Sequence, residues 1–390
     1  MIDTDLPLLH IRGRPLLPVV QGGMGVGISA HRLAGTVARE GAVGTIASVE
    51  LRRLHPDLMA RTRRCRDRRA FADCNLEALD REIREARDIA GPDGFIAVNV
   101  MRALTHHAEL VRQACESGAD AIVMGAGLPF DLPALAGDFP QVALIPILSE
   151  ERGVRAVLKR WMRQGRLPDA IVIEHPGHAG GHLGATRLAD VDDPRFAFER
   201  VLPRILEVMT DLGIETGSIP LIPAGGISTL ERIRSLLALG ASAVQIGTPF
   251  AVTEEGDAHA DFKRVLTGAG PADITTFLST AGLPARAVLT PWLERYLRKE
   301  QRLRERADPD RALCPRSLEC LSHCGFKDGN GDAGQFCIET QLAAAQRGDV
   351  NRGLFFRGAG SLPFGAQIRP VRDLLSLLLT GRNDALMGAT

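Results

Sequence analysis

The sequence predicts a closed (β/α)8 barrel of the TIM type, followed by a helical, cysteine-containing C-terminal extension. Three observations predict it. Eight short apolar runs alternate with longer helical stretches between residues 16 and 250, several runs are apolar at every position, and glycine recurs where they end. A chain of 390 residues has room for one barrel of about 250 residues plus an extension. The boundary is read at residue 255, giving a barrel over 1–255 and an extension over 256–390 packed on it.

The candidate strands are 19–21, 44–48, 95–100, 121–124, 143–147, 170–173, 221–224 and 243–246. Runs such as Ala121-Ile122-Val123-Met124 and Leu221-Ile222-Pro223-Ala224 suit strands covered by helices on one face and packed core on the other. An open doubly wound sheet shows the same runs, and the placement of glycine separates the two. It follows strand ends in Gln21-Gly22-Gly23-Met24, Met124-Gly125-Ala126-Gly127, Ala224-Gly225-Gly226-Ile227 and Ile246-Gly247-Thr248, where ligand chemistry at the C-terminal rim of a barrel needs close backbone approach. Residues 50–89 read as an arginine-rich, mostly helical connection in which Arg61, Arg63, Arg64, Arg66, Arg68 and Arg69 suit a solvated face or subunit contact better than a binding site for an anionic substrate tail, and the segment is left unassigned. Beyond 255 come helical stretches over 258–266 and 291–306, a cysteine segment, and then a helix, a glycine-rich loop and an amphipathic helix over 338–379.

Charge narrows the partner. Lysine plus arginine equals aspartate plus glutamate at 47 each, so nothing directs the protein to nucleic acid or an anionic membrane, and a small-molecule partner is expected. A single tyrosine argues against a base-stacking surface. No segment has the ~20 apolar residues of a membrane span, and the first fifteen residues lack a signal-peptide pattern. A cytoplasmic enzyme is expected, its cysteines outside disulfides; the sequence allows a homodimer without specifying one.

The strongest local signal is Ala224-Gly225-Gly226-Ile227 followed by Gln245-Ile246-Gly247-Thr248. Glycine loops after the seventh and eighth strands of a barrel bind phosphate through backbone N–H groups. This pair does not distinguish FMN from a phosphorylated sugar or a nucleotide. At the first strand end, Gln21, Gly22, Gly23 and Met24 would let main chain lie against a flat ring, and Asn99 supplies an amide that both donates and accepts, as a flavin's pyrimidine edge requires. The sixth strand leads into Glu174-His175-Pro176-Gly177-His178-Ala179-Gly180-Gly181-His182, with three histidines in eight residues at the predicted rim. One of them is expected to be catalytic. His178 and His182 also have the i, i+4 spacing of helical zinc ligands, although the glycines between them make a poor helix.

Taken together, Gln-Gly-Gly-Met, Ala-Gly-Gly-His, Ala-Gly-Gly-Ile and Gln-Ile-Gly-Thr-Pro-Phe resemble the motif series of nitronate monooxygenases (2-nitropropane dioxygenases), which flavin-dependent enoyl-acyl carrier protein reductases share. The resemblance covers most of residues 16–252, and the tail Gly-Asp-Val-x-Arg-Gly-Leu-Phe-Phe is similar to that of some members. It implies FMN held by Gly22, Gly23, Met24, Asn99, Ala179, Gly180 and Gly181, with its phosphate on Gly225, Gly226, Gly247 and Thr248, and His182 as catalytic base. Gln21 and Gln245 complete the expected cofactor set. His178 stands where many members have an acidic residue and is expected to face the substrate. The implied reaction is oxidation of alkyl nitronates with dioxygen to a carbonyl compound and nitrite. The alternative is an NAD(P)H-dependent flavin reductase acting on an enoyl thioester or quinone.

Other readings rest on cysteine. Cys314, Cys320, Cys324 and Cys337 offer four thiolates, enough for zinc or an iron–sulfur cluster, although the spacing is not a Cys-x-x-Cys knuckle; structural thiols are the other reading. A nucleotide-converting dehydrogenase would need a nucleophilic cysteine on a rim loop, but Cys65, Cys74 and Cys115 fall in predicted helical connections. An interaction protein centred on the cysteine extension is the non-enzymatic alternative.

Overall fold

The computed structural model describes residues 2–63, 65, 67–310, 314 and 320–382. The chain opens on an antiparallel hairpin of β1 (Leu9–Ile11) and β2 (Arg14–Leu16). Parallel strands then follow in chain order: β3 (Val19–Gln21), β4 (Val43–Ala47), β5 (Phe95–Met101), β6 (Ala121–Gly125), β7 (Ala143–Leu148) and β8 (Ile171–Glu174). A two-residue strand outside the barrel, β9 (Gly181–His182), precedes β10 (Leu221–Ala224) and β11 (Val244–Ile246), and β11 pairs back onto β3 to close an eight-stranded barrel. The eight candidate strands are these eight, each within one residue at its ends.

Side chains alternate along each strand. Val20, Phe95, Val123 and Ile145 fill the bore, whereas Val19, Ile96, Ile122 and Leu144 pack outward on the helices, so both faces are dry and the runs read as continuously apolar. Leu9, Ile11 and Leu16 of the first hairpin join the bore cluster and seal the base of the barrel.

The helices are fastened partly by distant residues. Ala30, at the start of helix His31–Arg39, has no capping side chain of its own. Instead the Asp257 carboxylate, beyond the last barrel strand, accepts from the N–H groups of Ala30, Arg32 and Leu33. In the arginine-rich connection, helices Pro56–Thr62 and Arg68–Ala90 carry exposed ion pairs such as Arg61 to Glu77 and Arg69 to Glu109, as a solvated face would. Arg64 and Arg66 lie outside the described residues. Among the described residues no helix is long and apolar enough to cross a membrane.

The extension has the expected helices, Ala260–Gly268, Pro291–Leu297, Glu300–Glu305, Ile338–Gln346 and Val371–Thr380. It also has a hairpin that the helical expectation did not include, β12 (Ile274–Leu278) and β13 (Pro284–Val288). β13 takes β9 as its third strand, pairing Ala285 with His182 and Arg286 with Gly181. The hairpin is short, and its sheet is completed only by the barrel rim about a hundred positions earlier in the chain, a partnership that local pattern does not display.

Candidate active site

A cavity of about 970 Å³ opens among the C-terminal ends of the barrel strands. Gly22, Gly23, Met24, Asn99, Ala179, Gly180, Gly181, Gly225, Gly226, Gln245, Gly247 and Thr248 all line it, as do His178 and His182. The structure thus brings residues from widely separated strand ends to one place.

Gln21 is the exception among the expected cofactor residues. It is fully buried beneath the cavity, where its Oε1 accepts the Thr45 N–H at 2.8 Å and its Nε2 donates to the Gly22 carbonyl. The β3–β4 ladder registers only Val20 against Val43, so the Gln21 amide bridges the strands where they splay towards the rim. Gln21→Ala is expected to cost about 1–3 kcal/mol by leaving a buried N–H unpaired. Urea unfolding would show it, with bound-cofactor stoichiometry retained in the folded protein.

Close approach explains the first glycine pair. A Cβ on Gly23 would fall 2.4 Å from the Asn99 Cβ, so only glycine lets the β3 loop cross the side chain at the end of β5. The loop is held by the Met24 N–H donating to Ser29 Oγ at 2.8 Å. Asn99 Nδ2 reaches the Val123 carbonyl only at 3.4 Å, a long bond that leaves the amide free to exchange for a ligand.

The three histidines have separate placements. His175 is structural: its Nδ1 accepts the Gly177 N–H at 3.0 Å, its ring meets Phe198 edge-on, and burial depresses its pKa to about 4. His178, expected to face the substrate, lines the cavity beside the phosphate loop. A Cβ on Gly226 would come within 2.9 Å of its Cβ. His182 sits in β9 with its ring edge-on to Phe356 at 5.6 Å. Its Nε2 is buried with no hydrogen-bond partner among the described residues. Burial takes its pKa down to about 4, so the ring is neutral at pH 7.

The extension supplies a wall that sequence reasoning missed. The Gly358 N–H donates to Thr248 Oγ1 at 3.0 Å and the Ala359 N–H to the His178 carbonyl at 3.0 Å. Arg286 Nη1 donates to the carbonyls of Pro176 and Ala179, clamping the histidine loop from β13. A Cβ on Gly180 would lie 2.5 Å from backbone atoms of Arg357 and Gly358. Phe356, Arg357, Gly358 and Gly360 therefore line the cavity with the barrel loops. The glycine-rich stretch before the last helix was the available signal, but it reads equally well as a surface loop. Glu174, the last residue of β8, was also passed over. It lines the cavity, and burial raises its pKa to about 7 against the pull of the Gly184 N–H and Arg286.

These residues fit a flavin nucleotide. Glycine loops give backbone access on two sides, Asn99 offers an exchangeable amide, and the unpartnered His182 Nε2 lacks a group to meet. A metal is different. Cys314, Cys320, Cys324 and Cys337 all lie within the described residues, yet no group of three or more His, Cys, Asp or Glu among those residues is arranged to hold an ion. Among the described residues neither the zinc or iron–sulfur reading of these cysteines nor zinc at His178 and His182 finds a set of ligands brought together. Cys324 Sγ pairs with Thr280 Oγ1, Cys337 Sγ accepts from Thr340 Oγ1, and burial pushes the Cys320 and Cys337 thiols up, as for structural cysteines.

Comparison with known proteins agrees with this geometry. The family model described as nitronate monooxygenase matches residues 14–381. A protein named probable nitronate monooxygenase from Bacillus subtilis is 26% identical over 302 residues, covering 71% of this chain and 78% of the relative. Nitronate monooxygenase of Pseudomonas aeruginosa is 40% identical over 72 residues, 18% of this chain and 20% of the relative. FabK from Thermotoga maritima shares the fold at TM-score 0.65 and 22% identity, covering 95% of this chain and 94% of that one. Nitroalkane oxidase from Streptomyces ansochromogenes does so at 0.61 and 20%, covering 96% and 97%. With a family match spanning barrel and extension alike, the chain belongs to the nitronate monooxygenase family and is a flavin-dependent oxidoreductase.

Proposed function

We propose that the cavity binds FMN and that the enzyme oxidises alkyl nitronates with dioxygen to a carbonyl compound and nitrite. The observation that carries this reading is the buried, unpaired His182 Nε2 at a glycine-lined barrel mouth. Gly22, Gly23, Met24 and Asn99 would hold the ring system, and Gly225, Gly226, Gly247 and Thr248 the phosphate. When bound there, FMN supplies the electron acceptor and the reactivity towards dioxygen.

The protein contributes orientation and proton handling. His182 enters the reaction neutral, so Nε2 is free to accept the α-proton of a nitroalkane. An imidazolium that could stabilise the nitronate anion forms only after that transfer. Arg286 fixes the loop carrying Ala179 and Gly180, and pairing of β9 with β13 sets the direction of the His182 side chain.

Anaerobic mixing of the purified, FMN-loaded protein with an alkyl nitronate, followed by flavin absorbance, tests the proposal. Bleaching by nitronate, with nitrite released once air is admitted, is the expected result. Bleaching by NADH or NADPH but not by nitronate would move the assignment to a flavin reductase.

A further inference from the structure

The half-buried acid at the end of β8 has no part in the chemistry assigned so far. Glu174 is half-buried, and its exposed portion opens onto the cavity. Its close partner among the described residues is the Gly184 N–H, with Arg286 acting from β13 at longer range. A carboxyl group in such a place normally has a cation beside it or points to solvent. Here the cation, Arg286, acts only from a distance, the exposed part faces the cavity, and the residue stands on a rigid strand end, paired in register with Ala224 of β10.

A second polar group converges on it. Ser149 follows β7 at the same rim and also lines the cavity. A Cβ on Gly184 would lie 1.8 Å from Ser149 Oγ and 3.8 Å from Glu174 Oε1, so the Ser149 hydroxyl occupies the place a side chain at 184 would take, with the Glu174 carboxyl close by. Two side-chain oxygens close to Gly184, from consecutive strand ends of the barrel, give the lining of the cavity a polar patch.

We propose that Glu174 is a specificity-determining residue that donates a hydrogen bond to a substrate oxygen, with the Ser149 hydroxyl as second donor. The pair selects a planar anion with two oxygens on one atom, the shape a nitronate shares with a carboxylate. The identity of the anion as a nitronate rests on the function proposed above; the anion site itself does not. Donation requires the acid form, which burial keeps populated up to about pH 7. Above that pH the carboxylate would repel an anionic ligand. The other titratable and charged groups of the cavity lining are His178, His182, Glu150, Arg152, Arg187, Asp190, Arg195 and Arg357, with Arg286 acting from β13; Arg187 and Arg195 are paired with Asp190 and Glu150. His182 stays neutral through the neutral range, so it does not contribute a titration there.

The test is binding of propionate, a carboxylate ionised throughout the range, to FMN-loaded protein between about pH 6 and pH 8, read as a flavin difference spectrum. Wild type is expected to bind about tenfold more weakly at the upper pH, as the competent acid form falls to a tenth. Glu174→Gln, which keeps a donor of the same shape and cannot ionise, is expected to hold the low-pH affinity across the range. Ser149→Ala is expected to weaken binding to a similar degree at both pH values, and serves if the Gln variant loads FMN poorly. Identical pH slopes in wild type and Glu174→Gln, or propionate binding unaffected by either substitution, would overturn the proposal. Failure of nitronate to bleach the flavin is read separately: it removes the oxidation reading and leaves the propionate result standing.

Discussion

His182→Ala is expected to keep its flavin and lose about 10²–10⁴-fold in kcat/KM on a neutral nitroalkane, the usual contribution of a positioned base. The reason is local. Nε2 is buried and unpaired, so the substitution removes no hydrogen bond from the fold. The ring's contact is with Phe356 at the cavity wall, and its loss leaves space within an existing cavity. Preformed nitronate needs no proton removed, so its turnover should fall much less. The wild-type profile should show a low-pH limb near pH 4, below which the imidazole is protonated and cannot act as a base. Steady-state rates on both substrate forms, with flavin content measured alongside, separate the outcomes. Equal losses on nitroalkane and nitronate would mean that the ring positions substrate and is not a base, and unchanged rates would remove it from the chemistry.

The second large effect is expected from Gly180→Ala. An added Cβ would meet main-chain atoms of Arg357 and Gly358 at 2.5 Å, and backbone cannot swing aside as a flexible side chain can. The extension must shift at its contact with the histidine loop, straining the Gly358 bond to Thr248 and the Ala359 bond to His178. Overpacking of this kind costs about 1–3 kcal/mol, which corresponds to roughly 5- to 150-fold in affinity if it falls on the bound state. FMN titration by fluorescence should show that loss, and limited proteolysis should cut the 353–365 stretch sooner. Gly358→Ala provides a graded comparison, since its Cβ would come only to 3.0 Å from the His178 carbonyl. Full FMN affinity in Gly180→Ala would mean that the extension does not shape the site.

How much of this was legible in the sequence depended on the range of the interaction involved. The barrel strands were readable because each is dry on both faces and leaves an uninterrupted apolar run, as in Ala121–Gly125. The glycines marking the rim were readable because close approach at Gly23 excludes every other residue. Gln21 was misplaced because a strand-end glutamine looks the same whether its amide meets a ligand or, as here, the neighbouring strand. The hairpin β12–β13 and the wall formed by Phe356 to Gly360 were invisible because their partners, His182 and Gly180, lie far away in sequence. The cysteines stayed ambiguous because number alone allows either reading: four thiols are enough for a metal or serve as structural thiols, and only the structure shows Cys324 and Cys337 engaged with threonine hydroxyls.

The sealed base of the barrel has a consequence for traffic. With Leu9, Ile11 and Leu16 packed into the far end of the bore, ligands reach the described cavity from the side of the strand C-termini. Whatever enters on that side leaves by it too, past the histidine loop and the stretch that carries Phe356 to Gly360. A bulky occupant lodged there would block both directions of passage.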